Sequence, residues 1–449
     1  MPDNKKLKHI KTSVFSRSMS IAKFGLSAGV QFAASKIKNT PLEEYLNIQA
    51  VHLTKELGEL KGSMMKAGQM LSIYGEHFLP PEANRVLKTL QSDSPAIEWS
   101  VMQNYLRDAL DEELINQLEI NPTPIGSASM GQVYLVTDKN TGERMALKIQ
   151  YPDVDKAIDS DVATLKKVLS FSKLLPSNLD MTEIFDEIKV MLRQELDYNR
   201  EADLTEEYGR LIAGDERFKV PRVFRKYSNK KVLATEYVEG LKADHALVQS
   251  LSSSRRNRLA ENFLDLYFKE IFQWSFVQTD PHLGNYKIQI DSKGLDRIVL
   301  LDFGAAKHFG SAFLNAYRKM IKGAVVADDS LFFEGSRKLG FIIDADSTEY
   351  IAQFKSFCQG TIEPFLDYAD PRNNRGLISP EGTYNWKETD LPSRVMKNAF
   401  LFKNFELRTP PRDILFLDRK TAGVFMFLNV LRAQINARQI MNPYLKQVL

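Results

Sequence analysis

Asp280-Pro281-His282-Leu283-Gly284-Asn285 and, across a short hairpin-like segment, Leu300-Leu301-Asp302-Phe303-Gly304 are the two loops from which the architecture of this chain is inferred. Asp280 and Asn285 stand five residues apart on one loop, and Asp302 directly follows the apolar strand expected at Ile298–Leu301. Oxygen-bearing side chains of this kind hold a hard divalent cation and orient a hydroxyl. Asn285 and Asp302 are therefore the candidate metal ligands, and Asp280 is the candidate base.

Working upstream, Ile125-Gly126-Ser127-Ala128-Ser129-Met130-Gly131-Gln132-Val133 is a small-residue turn running into a strand, where backbone N–H groups can approach phosphate oxygens. Val133–Val136 and Met145–Ile149 are expected as two short strands of a hairpin, joined through Lys139-Asn140-Thr141-Gly142. Within Met145-Ala146-Leu147-Lys148-Ile149, the strand period puts Ala146, Lys148 and Gln150 on one face. An inward ammonium there needs a carboxylate or phosphates. Glu195-Leu196-Asp197-Tyr198-Asn199-Arg200-Glu201-Ala202 supplies carboxylates on a helical stretch expected from about Thr182 to Leu211, with Asp180 and Glu183 resembling a capping box. Asp197 and Glu201 share a face and repel by about 0.2–0.5 kcal/mol if unpaired. Lys148 for Glu201, and another cation near Asp197, would relieve this. Glu195 lies about 200° round from Asp197 on an ideal helix, so one cation meets both only where the helix bends or ends.

Taken in chain order, these parts match the way kinases place a lysine, a base and two metal-holding groups. ATP and Mg²⁺ are the expected cofactors, with Lys148 on the α- and β-phosphates. Nucleotide contacts are expected from Gly126, Ser127, Ala128, Ser129, Met130, Gly131 and Lys148. Glu236 and Val238, in the strand-like Val232–Val238, join them. Where protein kinases carry His-Arg ahead of the catalytic aspartate, this chain has Gln278-Thr279. Only Ala305–Gly310 intervene before a helical pattern near Ser311, and no Ala-Pro-Glu follows. That leaves little room for an activation segment and argues against ordinary protein phosphorylation.

Composition narrows the remaining choices. The chain has 449 residues, 43% apolar and 26% charged, enough for a sizeable core. Its 60 basic and 57 acidic residues leave a net charge of +3, too balanced for a dedicated nucleic-acid binder. Cys358 is the only cysteine, which excludes an intrachain disulfide or a cysteine-built metal cluster, and the six histidines show no ligand spacing. No run of about 20 apolar residues offers a membrane span.

Charge is uneven along the chain. Residues 1–42 carry eight Lys/Arg against Asp3 alone, a local +7 that leaves about −4 elsewhere. Ile21, Phe24, Ala28 and Phe32 recur there at helical spacing. Such an arm suits an anionic membrane surface, docking on the body of the protein, or a targeting role. Residues 43–120 are expected to be helical, with Leu57, Leu60, Met64, Ala67 and Leu71 on one face and a turn at Leu79-Pro80-Pro81. Residues 121–240 then form a strand-rich lobe and 241–449 a helical one, with an aromatic helix around Ile271–Phe276 and a surface insertion at about Asp367–Ser393. The fold class is α+β.

Lys66-Ala67-Gly68-Gln69, in the helical stretch Leu60–Ser72, puts Lys66 and Gln69 on one polar edge. Together with Glu195 and Asp197, Glu201, Asp280–Asn285 and Asp302–Gly304, it closely resembles the UbiB family of atypical kinases, also called the aarF-domain-containing or ADCK family, over roughly residues 45–445. The resemblance implies a bilobal protein-kinase-like fold with an N-terminal helical extension over the active-site cleft. It implies that Lys66 and Gln69 project into the site, that Lys66 pairs with Glu195 and Asp197, and that this element restrains protein-kinase activity. It further implies an ATPase or small-molecule kinase supporting ubiquinone (coenzyme Q) biosynthesis, peripheral on a membrane. Its expected partners are an anionic lipid, a quinone-precursor-like molecule or proteins of a biosynthetic complex. The expected location is cytoplasmic or the mitochondrial matrix at the inner membrane. A non-catalytic, nucleotide-gated scaffold or lipid-binding module is the alternative. An antibiotic-type phosphotransferase shares a similar loop after the aspartate, but Lys66–Gln69 and its helix argue against it.

Overall fold

The computed structural model describes residues 63–78, 96–128, 130–171, 182–373, 375–391, 394 and 412–446. The basic arm, Leu57 and Leu60, the Leu79–Pro81 turn, Ser129 and Asp180 lie outside the described residues. The chain divides into two compact units, one ending at Glu206 and including Arg222–Tyr237, the other made of Glu207–Pro221 and the chain from Val238 onward.

In the first unit, helix α1 (Ser63–Phe78) and helix α2 (Trp99–Ala109) precede a four-stranded antiparallel sheet. Its strands are β1 (Leu118–Ala128), β2 (Gly131–Asp138), β3 (Arg144–Gln150) and β4 (Val232–Glu236), in that spatial order. Strand β1 begins where helix was expected and runs through Pro122 and Pro124. An edge strand tolerates prolines because the missing N–H faces away from its one neighbour, and the register shifts at Pro124 accommodate the second.

Helices α3 (Val154–Phe171) and α4 (Thr182–Glu195) pack on α1. The seam follows helical periodicity: Met64, Ala67 and Leu71 of α1 meet a layer that includes Ile158, Val162 and Leu165 of α3 and Phe185, Ile188 and Leu192 of α4, all nearly inaccessible. The Ser63 hydroxyl donates to Asp161 at the start of this seam. The single long helix expected to Leu211 is in fact two, because α5 (Tyr198–Leu211) starts afresh after Leu196-Asp197. Asp197 Oδ1 accepts from the N–H groups of Asn199 (3.2 Å) and Arg200 (3.4 Å), a local bond that competes with helix continuation.

The second unit is mainly helical. Helix α6 (Ser253–Lys269) runs into a wide π-turn at Glu270–Trp274 and then into strand β5 (Phe276–Gln278). The aromatic helix expected to reach Phe276 therefore stops short, and left-handed Ser275 (φ 54°) redirects the chain. Strands β6 (Tyr286–Gln289) and β7 (Arg297–Leu300) form the hairpin between the two site loops, and the short strand Phe218–Lys219 adds alongside β7. Strand β8 (Ala306–His308) pairs antiparallel with β5. Helices α7 (Ser311–Val326), α8 (Asp329–Lys338), α9 (Thr348–Thr361), α10 (Arg412–Val430) and α11 (Ala437–Leu445) complete the unit.

The turn-rich stretch around residues 367–391 is more than a surface insertion. Tyr384, Trp386 and Leu391 are fully buried, and Tyr384–Asn385 pairs with Gln434–Ile435. Isolated aromatics among turn residues carry no periodic signal, so their burial was not visible in the sequence. The architecture is a mixed α+β kinase-like fold.

Candidate functional site

In the first unit, β1 and β2 fold back on each other, with Gly126 opposite Val133, Ser127 opposite Gln132 and Ala128 opposite Gly131. The small-residue segment is thus mostly the end of a strand pair, up to Ala128 opposite Gly131. Met130 is buried, and its carbonyl accepts from Tyr151 N (2.9 Å), so its side chain belongs to the core. Gly131 is required by close packing: a Cβ there would sit 2.4 Å from the Ile149 carbonyl oxygen and 2.9 Å from the Tyr198 hydroxyl.

Lys148 sits on β3 opposite Val133 on one side and Leu233 on the other. Its Nζ donates to both carboxylate oxygens of Glu201 at 2.8 Å, and it lies 5.0 Å from the centre of the Tyr198 ring. Glu201 is in the first turn of α5, where the helix dipole favours an anion. A second pair joins Lys66 Nζ on α1 to Glu195 Oε1 at 2.8 Å, with side-chain exposures of 12% and 22%. Gln69 lies one turn further along α1 and is half-buried. The helix break matters here: Glu195 closes α4, and Asp197 caps α5. Arg200 supplies positive charge beside Asp197 and Glu201; burial lowers its pKa, and those two carboxylates oppose the shift. Glu236 accepts from Arg222 N at 3.2 Å through its carboxylate.

In the second unit, hydrogen bonds join Asn285 to Asp280 and to Leu301, the residue before Asp302. Asn285 Nδ2 donates to the Asp280 carbonyl (3.0 Å), and the Asn285 carbonyl accepts from Leu301 N (3.0 Å). Asp302 Oδ1 accepts from Gly304 N (3.0 Å), fixing the Asp-Phe-Gly turn. Phe303 is buried and meets Tyr208 at a 4.6 Å ring separation. With its amide nitrogen committed, Asn285 offers an oxygen to a cation, as does the Asp302 carboxylate. This all-oxygen donor set fits Mg²⁺. Burial pushes the Tyr286 phenol well above its ordinary range, and the carboxylates of Glu270, Asp280 and Asp302 push it further. A divalent cation would neutralise part of that negative field. Val238 is buried at the beginning of this unit's main segment.

Several residues escaped the sequence. Arg419 Nη2 lies 2.6 Å from Asp280 Oδ1. Its neighbour Lys420 meets Glu270 Oε2 at 2.7 Å, with exposures of only 2% and 0%. Glu270 Oε1 also accepts from the Tyr208 hydroxyl (2.8 Å) and from Gln278 N (3.1 Å). Helix α10 approaches the loop so closely that a Cβ on Gly423 would lie 2.1 Å from Pro281 Cβ. Charges inside the otherwise apolar stretches around Phe268–Phe276 (Lys269, Glu270) and Leu417–Leu428 (Asp418, Arg419, Lys420) were the available signal; the pairing of Glu270 with Lys420 across 150 positions was not.

A kinase-like fold carrying these parts defines an atypical kinase. A family model described as the ABC1 atypical kinase-like domain matches residues 89–334, and the chain belongs to that family, the UbiB or aarF-domain group of atypical kinases. "Atypical kinase COQ8, mitochondrial" of Saccharomyces cerevisiae is 27% identical over 447 residues, covering 98% of this chain and 86% of the yeast protein. "Atypical kinase coq-8, mitochondrial" of Caenorhabditis elegans is 29% identical over 92% of this chain, which spans only 52% of the nematode protein. The solved structure of Rv3197 with erythromycin from Mycobacterium tuberculosis superposes with a TM-score of 0.59 at 23% identity, covering 90% of this chain and 97% of that one. Among the described residues, no helix is long and apolar enough to cross a membrane.

Proposed function

We propose that the chain binds Mg-ATP and transfers its terminal phosphoryl group to water or a small hydroxyl acceptor in support of coenzyme Q biosynthesis. The observation that carries this reading is Lys148, held through both oxygens of Glu201 at 2.8 Å. An ammonium fixed in this way is presented as a phosphate anchor. The backbone of residues 126–131 would cover the phosphates, with Glu236 and Val238 as further nucleotide contacts. Asn285 and Asp302 would hold Mg²⁺, which neutralises phosphate charge when bound. Asp280 would accept the acceptor's proton and orient its oxygen. Lys66, held by Glu195, would act with Gln69 and Asp197 to restrain phosphorylation of proteins.

The names of the yeast and nematode relatives support a mitochondrial setting. Anionic lipid, a quinone-precursor-like phenol and proteins of a biosynthetic complex are the proposed partners, at the inner membrane surface.

The test is ATP hydrolysis by the purified protein, with and without anionic liposomes and quinone-precursor-like phenols. Stimulation is expected. Calorimetry should show Mg-nucleotide binding that is lost in Asp302→Asn; unchanged affinity would refute the metal assignment. Lys66→Ala should autophosphorylate more than wild type, and equal or lower incorporation would end the restraining role.

One observation favours a second reading. Arg419 already engages the Asp280 carboxylate at 2.6 Å, which suits a nucleotide-gated scaffold whose base is occupied. Retained biological function in Asp280→Asn without phosphate release would favour the scaffold.

A further inference from the structure

Gln278-Thr279 stands where protein kinases carry His-Arg, and the pair makes an unusual set of bonds. Gln278 Nε2 donates to the backbone carbonyl of Asp280 (2.8 Å) and to that of Asp302 (3.1 Å). One amide nitrogen thereby holds the backbones of the candidate base and of a candidate metal ligand, 22 positions apart in sequence. Thr279 repeats the connection: its hydroxyl donates to the Ala305 carbonyl at 2.6 Å. Gln278 and Thr279 are 3% and 2% exposed, so each bond forms away from competing water.

The orientation of the amide follows from chemistry. Two carbonyl oxygens demand the NH₂ end, and the remaining oxygen, Oε1, accepts from the Tyr286 hydroxyl at 3.0 Å. Behind the amide, the Gln278 backbone N–H is fixed by Glu270, which Tyr208 and Lys420 hold in turn. Every polar end of the Gln278 side chain is committed, and none is spent on solvent.

We propose that Gln278 is a positioning residue that clasps the Asp280 loop to the Asp-Phe-Gly turn, with the Tyr286 hydroxyl holding its amide oxygen from behind, so that Asn285 and Asp302 are preorganised for the metal before nucleotide arrives. The clasp rests on the Mg-nucleotide reading given above. It touches neither substrate nor metal; it acts through the two backbones it joins. Gln278→Glu keeps the shape but points an oxygen at two carbonyl oxygens. Tyr286→Phe leaves both Nε2 bonds possible but strips the buried amide oxygen of its donor, which loosens the clasp without reversing it.

The experiment compares the full chain in three forms: wild type, Gln278→Glu and Tyr286→Phe. Amide hydrogen exchange is followed over residues 301–306 without ligand, and Mg²⁺ is titrated into the ADP-saturated protein by calorimetry. Exchange in that segment should speed up by about tenfold in Gln278→Glu and about threefold in Tyr286→Phe, and the Mg²⁺ concentration for half-saturation should rise by similar factors. Binding of metal-free ADP should stay unchanged. Exchange and metal titrations that superimpose on wild type in Tyr286→Phe and in folded Gln278→Glu would overturn the clasp. If Gln278→Glu does not fold, the Tyr286→Phe curves decide alone. A wild type that binds no Mg-nucleotide would sink the nucleotide reading itself, a failure distinct from wild-type binding with indifferent variants.

Discussion

Lys148 and Lys420 are both matched to a glutamate at close range, 2.8 Å and 2.7 Å, yet the two pairs are built for different ends. Lys148–Glu201, in the first unit, keeps side-chain exposures of 16% and 5%, so a phosphate could share the ammonium. Lys420–Glu270, in the second, is sealed at 2% and 0% and is wired into Tyr208 and Gln278. The first leaves its ammonium partly accessible, as the proposed phosphate anchor requires. The second is a fixed strut beneath a loop, where the cost of taking two ions out of water is offset only while both partners and their hydrogen bonds are present.

The sharpest way to break this contrast is Lys420→Met, which strands Glu270 without a counter-charge. Stability should fall by about 3–5 kcal/mol in urea unfolding, and adding Glu270→Gln should recover much of the loss. A wild-type midpoint for the single variant would show that the pair is no strut. Next comes Gly423→Ala, which drives a methyl group into Pro281. A loss of about 1–3 kcal/mol is expected, with lower kcat and little change in nucleotide affinity. Lys148→Met should cost about 1.5–3 kcal/mol of stability, less than the Lys420 loss, while weakening nucleotide binding at least tenfold. At the small end, Arg193→Ala removes an exposed partner of Asp159, with exposures of 55% and 67%, and should move the unfolding free energy by at most about 1 kcal/mol.

The same contrast explains what could be read from the sequence. The loops around Asp280 and Asp302, the Lys148 strand and the β6–β7 hairpin are contiguous motifs whose spacing is set by local backbone geometry, so they were legible in order. The helix break at Leu196-Asp197 was only half visible, because the capping role of Asp197 competes with a pattern that remains helical on both sides. Pro122 and Pro124 looked like an interruption; as an edge strand, β1 absorbs them. Glu270–Lys420 and Arg419–Asp280 were not legible at all. They join positions 150 and 139 residues apart, and only the folded chain brings them within reach.

The sealed Glu270–Lys420 pair has a consequence for how the protein is made. Glu270 leaves the ribosome 150 residues ahead of its counterion, a wait of roughly 8–30 s at usual elongation speeds. Until Lys420 emerges, the nascent carboxylate must stay hydrated, so the loop that follows Gln278 cannot settle early. The helical unit is therefore a late-maturing domain, one whose assembly waits for Lys420.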